Sequence, residues 1–143
     1  MDLWLRRHAA DAARRQTSAT WVWVLDGEVV GYYSLSAHKV VREDVPGQVG
    51  RGGPREIPAV LIGKLALTRS ARGQGLGELL LADALTRVLA ATHHVAARLV
   101  VVDALSEPVA LFYERMGFVR VPGSLLLVQR VRDIRAALEP GAG

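Results

Sequence analysis

Residues 59–67 form an almost unbroken apolar run, and the ten residues that follow, TRSARGQGLG, carry three glycines and two arginines. Residues 78–91 then place Leu81, Leu85, Val88 and Leu89 at helical spacing. A strand covered on both faces, a glycine-rich turn and a helix therefore follow one another. At a helix start several backbone N–H groups lack partners and the dipole is positive, so such a turn binds phosphate oxygens. Glycines let the backbone close on the anion, and Arg72, with Arg69 beside it, adds charge-assisted hydrogen bonds suited to a diphosphate.

Two other phosphate loops compete with this one. A P-loop ends in Gly-Lys-Ser/Thr, and Leu76-Gly77-Glu78 supplies neither the lysine nor the hydroxyl. A dinucleotide fingerprint needs a third glycine where Glu78 stands, although Asp103 closes a later strand as a ribose-binding acid does. Three glycines that merely turn a strand into a helix are the third reading of the same residues.

Around this unit, residues 3–15 read as a short helix with Arg6, Arg7, Arg14 and Arg15 outside, and residues 20–25 as a strand. Asp26-Gly27 is a hairpin turn, and residues 29–41 form the second strand. Residues 42–58 hold four glycines and three prolines, which predicts a long loop unable to propagate a helix or a central strand. Residues 98–103 are the next strand, and 106–116 a helix stopped at Gly117. Residues 119–121 and 125–131 close the fold as a strand pair, and 132–139 read as a frayed helix. No repeat or linker interrupts the 143 residues, which predicts one domain over 1–143.

Composition narrows the function classes. The chain has no cysteine, which excludes disulfides, thiolate nucleophiles and cysteine-based zinc sites. No stretch is long and apolar enough to span a membrane, and the start lacks a signal-peptide core, so a soluble cytoplasmic protein without membrane partners is expected. Net charge +4 and a pI near 10.1 favour anionic partners, although an arginine-rich, alanine-rich composition also follows from a GC-rich genome. The histidines lack companions suited to a metal, so none is expected.

A second motif decides between the phosphate loops. Residues 72–77 match the R/Q-x-x-G-x-G/A signature of the GNAT N-acetyltransferases, and Phe112-Tyr113-Glu114-Arg115-Met116-Gly117-Phe118 resembles their "FYE-x-x-GF" helix end, about 40 residues later and in the right order. The resemblance implies an α/β (mixed α+β) GNAT fold: a central mixed, mostly antiparallel sheet with helices on both faces, splayed where the pantetheine of CoA enters. It is closest to TacT-like GNAT toxins, through LWLRRHA, DGEVVGYYSLSA, PAVLIGKLALTRSARGQGLGELLLADAL and FYERMGF. In those relatives a further strand and part of a helix precede the WLRR segment.

From this resemblance follow the expected roles. Acetyl-CoA is the cosubstrate. Leu65, Ala66, Leu67, Arg72, Gly73, Gln74, Gly75, Leu76, Gly77, Ser106 and Phe112 bind it, with amides near Ala66 and Leu67 polarising the thioester carbonyl. Ser106 stands where many members carry asparagine. Tyr113 falls at the position of the general acid toward sulfur, with aromatic packing beside Phe112 and Phe118 as its competing role. No general base stands out. An α-amine with a pKa of roughly 7.7–8.0 manages without one better than a lysine does. The TacT-like family further implies aminoacyl-tRNA as acceptor, a ribbon-helix-helix antitoxin and a homodimer. Arg6, Arg7, Arg14, Arg15, Arg51, Arg55, Lys39 and Lys64 are the candidates for holding tRNA phosphates. The alternatives are acetylation of a small amine or protein N-terminus, and a non-catalytic acyl-CoA-binding module.

Overall fold

In the computed structural model of the chain, residues 18–69, 72–73 and 75–139 are described. The expected helix over 3–15, with its arginines, lies outside them. β1 (Ala19–Leu25) and β2 (Glu28–Val41) form a hairpin through Asp26 and Gly27, whose φ values of 53° and 80° give the paired left-handed conformations of a type I′ turn. β3 (Glu56–Leu67) runs antiparallel to β2 from Val41↔Glu56 to Gly31↔Leu67. β4 (Leu99–Asp103) lies parallel to β3, β6 (Leu126–Arg130) antiparallel to β4, and the short β5 (Val119–Arg120) antiparallel to β6. The result is one six-stranded mixed, mostly antiparallel sheet in the order β1-β2-β3-β4-β6-β5.

The segment expected as an uninterrupted loop over 42–58 is more ordered than that. It contains a 3-10 turn (Arg42–Asp44) and the single helical turn α1 (Gly47–Gly50), and β3 already begins at Glu56, which places Pro58 inside a strand flanked on both sides. The proline is tolerated because its carbonyl accepts from Arg98 N–H at 2.8 Å, so the nitrogen that lacks a proton also faces the start of β4 and no rung to β2 is lost.

α2 (Leu76–Ala91) links β3 to β4, and α3 (Glu107–Arg115) links β4 to β5. Both crossovers advance along the sheet in the same direction, so right-handed connections put both helices on one face. The main core forms there: Leu80, Leu81, Ala84, Leu85 and Val88 of α2 meet Tyr33, Ile62, Val100, Val102 and Leu127 of the sheet. A smaller cluster covers the opposite face, where Val45 just before α1 and Val49 within it pack on Ile57, Ala59, Leu99, Val101 and Val128. The C-terminal segment, expected to fray, is instead the docked helix α4 (Val131–Leu138), with Val131 and Ile134 buried in the main core and Arg135 Nη2 donating to Thr92 Oγ1 at 2.9 Å. Its apolar residues recur at i, i+3 and i+7, a stripe that needs a partner surface to be stable. Among the described residues no helix is long and apolar enough to cross a membrane.

Candidate active site

The parallel ladder between β3 and β4 is short. It runs from Ala59↔Leu99 to Ile62↔Val102 and stops, while β3 continues five residues further to Leu67. The break coincides with a bulge: Ser34 pairs with Lys64 and Leu35 with Ile62, which leaves Gly63 without a partner on β2. An added Cβ on Gly63 would lie 3.0 Å from Ser34 Oγ, so the approach of β2 favours the smallest residue. The extra residue also inverts the facing of the strand. Before it, Val60 and Ile62 turn toward the main core; after it, Leu65 and Leu67 do, and Lys64 and Ala66 pass to the opposite face.

Past the bulge one edge of β3 is open. Thr68 N–H donates to Val30 O at 2.8 Å, and in an antiparallel ladder alternate residues bond the same neighbour, so Thr68, Ala66 and Lys64 direct their amides to β2. Leu65 and Leu67 direct theirs into the gap. Leu67 O accepts from Arg72 Nε at 3.3 Å, as an outward carbonyl can. Of the two amides expected to polarise a carbonyl, Leu67 faces the gap and Leu65, rather than Ala66, accompanies it.

The gap opens into a cleft of about 330 Å³ lined by Tyr32, Ile62, Gly63, Lys64, Leu65, Ala66, Asp103, Leu105, Val109 and Tyr113. Tyr113 reaches it from α3. Its ring is 5% exposed and held edge-on by Phe112 and Phe118 at centroid distances of 5.4 and 5.6 Å, so the packing role and the cleft position coexist. Burial pushes its hydroxyl up to about 12, which keeps it a proton donor at neutral pH. Burial likewise raises Tyr32.

The phosphate loop closes one end of the gap. Gly73 and Gly75 have φ of 78° and 73°, and nothing lies within 4 Å of where their Cβ atoms would stand, so an anion can approach the backbone there. Gly75 is the N-cap of α2, which begins at Leu76, two residues earlier than the periodicity predicts. The amides of Leu76, Gly77 and Glu78 thus belong to the first turn and lack intrahelical acceptors. A Cβ on Gly77 would sit 3.9 Å from the Phe112 ring, so α2 and α3 meet beside the loop. Gln74 lies outside the described residues. Ser106 is the exposed N-cap of α3, and its hydroxyl makes no capping bond. Lys39 pairs with Glu56 at 3.2 Å, Arg51 and Arg55 are exposed, and Lys64 is exposed at the cleft. Among the described residues no three His, Asp or Glu side chains are placed to hold a metal.

Residues 16–120 match the family model described as an acetyltransferase (GNAT) domain. The chain belongs to the GNAT acetyltransferase family. It is 34% identical over 139 residues, 96% of this chain and 84% of the relative, to the tRNA-acetylating toxin of Mycobacterium tuberculosis. Among solved structures it is similar to AtaT complexed with acetyl-methionyl-tRNAfMet, with TM-score 0.83, 27% identity and coverage of 94% of this chain and 84% of the other. It is also similar to a tyrosine-to-phenylalanine mutant of AtaT bound to the C-terminus of the antitoxin AtaR and acetyl-CoA, with TM-score 0.79, 27% identity and coverage of 96% and 82%.

As a GNAT enzyme the chain is an acetyl-CoA-dependent N-acetyltransferase, and the residues present fit that cosubstrate: an open strand edge for pantetheine, a glycine cradle with an arginine for the diphosphate, and a buried phenol in the cleft. When bound, acetyl-CoA supplies an acetyl group activated as a thioester. The Leu65 and Leu67 amides point into the gap, where fixed donors would meet an oxygen that gains charge during attack. The Tyr113 side chain reaches the cleft from the face of the sheet that carries α2 and α3. The bulge at Gly63, with Tyr32, Leu105 and Val109, is missing from the sequence reading; a lone glycine in an apolar strand was the available signal for the bulge.

Proposed function

We propose that this chain moves the acetyl group of acetyl-CoA to the α-amino group of aminoacyl-tRNA, which removes that tRNA from elongation and makes the protein a translation-blocking toxin. The observation that carries this reading is the similarity to a tRNA-acetylating toxin over 96% of the chain, which includes the strands around the acceptor side of the cleft and not only the cofactor motifs. The chemistry agrees. Among the described residues that line the cleft there is no histidine or glutamate to deprotonate a strongly basic amine, and an α-amine near 7.7–8.0 is partly neutral without help.

Two partnerships belong to the same proposal: a homodimer, and an antitoxin of the ribbon-helix-helix type whose tail covers the cleft. AtaT bound to the C-terminus of AtaR supports the second. A cytoplasmic location follows from a tRNA substrate.

Purified protein is mixed with labelled acetyl-CoA and total charged tRNA, with uncharged tRNA as control. Label entering only the charged RNA is expected. If no label enters RNA while acetyl-CoA still binds, small amines and protein N-termini replace tRNA as the acceptor class.

A further inference from the structure

Asp103 is the last residue of β4, one position beyond the final rung Ile62↔Val102. Val100 and Val102 turn toward the main core and Leu99 and Val101 toward the opposite cluster, so strand alternation puts the Asp103 side chain on the face away from α2 and α3. Tyr113 enters the cleft from the α3 side. The two side chains therefore approach one gap from opposite faces of the sheet. Asp103 is the one carboxylate among the described residues that line the cleft, and among the described residues no hydrogen bond or ion pair engages its side chain. Other acids near this end are occupied: Glu107 and Glu114 both hold Arg120, at 2.8 and 2.6 Å.

We propose that Asp103 is a positioning residue for the acceptor, accepting hydrogen bonds from the α-ammonium of the aminoacyl group and holding its nitrogen on the face opposite Tyr113. This rests on the aminoacyl-tRNA reading above. Attack on a carbonyl brings the nucleophile to one side while the thiolate departs, and a donor for sulfur on one face with a cation acceptor on the other matches that geometry. In the step itself the amine nitrogen forms the new bond to the acetyl carbon. The C–S bond breaks with its electron pair on sulfur, which takes the Tyr113 proton; one ammonium proton goes to solvent before attack, and the second proton leaves the nitrogen as the amide forms and returns to the phenolate through solvent. The arrangement also separates substrate from product. The ammonium is charged and the N-acetyl amide is neutral, so the amide loses the interaction with Asp103 and leaves. Tyr32 from β2, Lys64 from β3 and Tyr113 from α3 are the other titratable groups lining the cleft.

The experiment compares the full chain with Asp103→Asn and Asp103→Glu, using charged tRNA over a range of pH. A carboxylate beside the ammonium favours its protonated form, so the pH at which kcat is half-maximal should fall in Asp103→Asn, KM for charged tRNA should rise about tenfold, and KM for acetyl-CoA should hold. Asp103→Glu should recover part of the affinity. Unchanged tRNA KM and unchanged pH midpoint in Asp103→Asn overturn the proposal, since a purely structural role would not move that midpoint. If the Asn variant does not fold, the unsubstituted protein is titrated with aminoacyl-adenosine and its α-hydroxyacyl counterpart. Preference for the ammonium compound by about tenfold supports Asp103, and equal binding overturns it. Failure of the unsubstituted protein to acetylate any charged tRNA is a separate result that overturns the tRNA reading itself.

Discussion

Ile62 faces Val102 across the last rung between β3 and β4, and every residue expected to handle the thioester lies beyond that rung. The gap is a consequence of where the ladder ends. Its edge is open because the bulge at Gly63 re-aims β3 while β2 continues to hold its other side.

Gly63→Val tests this. The added side chain meets Ser34 Oγ, 3.0 Å from the Cβ position, so the strands must separate locally. We expect a loss of about 1–3 kcal/mol in stability. A larger fall in activity than in folded fraction should accompany it, measured by denaturant unfolding and acetyl transfer on the same preparation.

Tyr113→Phe removes the hydroxyl we propose as proton donor and keeps the ring between Phe112 and Phe118. We expect kcat to fall about 10²-fold or more, with acetyl-CoA affinity and melting temperature close to the unsubstituted protein. Single-turnover transfer and calorimetric titration read the two effects separately.

The pH profile follows from the same residue. Because burial holds the Tyr113 hydroxyl at about 12, above its ordinary value of roughly 10, the group stays protonated over the working range. The rate should rise once, as the bound amine loses its proton, with no descending limb from Tyr113 below its raised value. The neutral phenol's contribution to stability is complete below about pH 10 and is lost as the pH climbs through the folded value. Tyr113→Phe should therefore keep the ascending limb, and a limb that vanishes with the phenol would assign it to Tyr113 instead.

Arg72→Ala removes the side chain that bonds Leu67 O, and Gly75→Val forces a β-branched residue into φ 73°. Both should raise KM for acetyl-CoA, the second by more because the first turn of α2 shifts with its N-cap. KM for the acceptor should move little in either, as steady-state kinetics with both substrates varied will show.

Tyr33 clasps α2 to the sheet. Its hydroxyl donates to Asp83 Oδ2 at 2.5 Å and accepts from Arg87 Nε at 2.6 Å, while Trp21 stacks on its ring and lies under the Arg87 guanidinium. Burial, then the Asp83 carboxylate, pushes that hydroxyl upward. Tyr33→Phe should cost about 1–3 kcal/mol of stability by stranding partly buried partners, with acetyl transfer by the folded fraction intact.

Local signals made much of this legible. Asp26-Gly27 predicts its turn because few dipeptides accept two left-handed conformations, and the end of the strand at Leu67 and the bounds of the helix after the glycine loop read correctly to within two residues. What escaped depends on partners distant in sequence. Asp83 and Arg87 look like interruptions of an apolar helix until Tyr33, fifty residues away, receives them. Pro58 looks like a loop residue until Arg98 supplies the donor its carbonyl needs. The octapeptide of α4 is too short to hold a helix alone and is fixed by burying Val131 and Ile134. The face of Asp103 follows from strand parity, which becomes informative only when the register with β3 is known.

The most direct measurement is mass spectrometry of the 3′-terminal nucleoside released from charged tRNA after incubation with acetyl-CoA and this protein. We expect an N-acetylaminoacyl-adenosine that forms with the unsubstituted chain and is nearly absent with Tyr113→Phe. An unmodified aminoacyl-adenosine, recovered while acetyl-CoA is consumed on another amine, would contradict the proposed substrate.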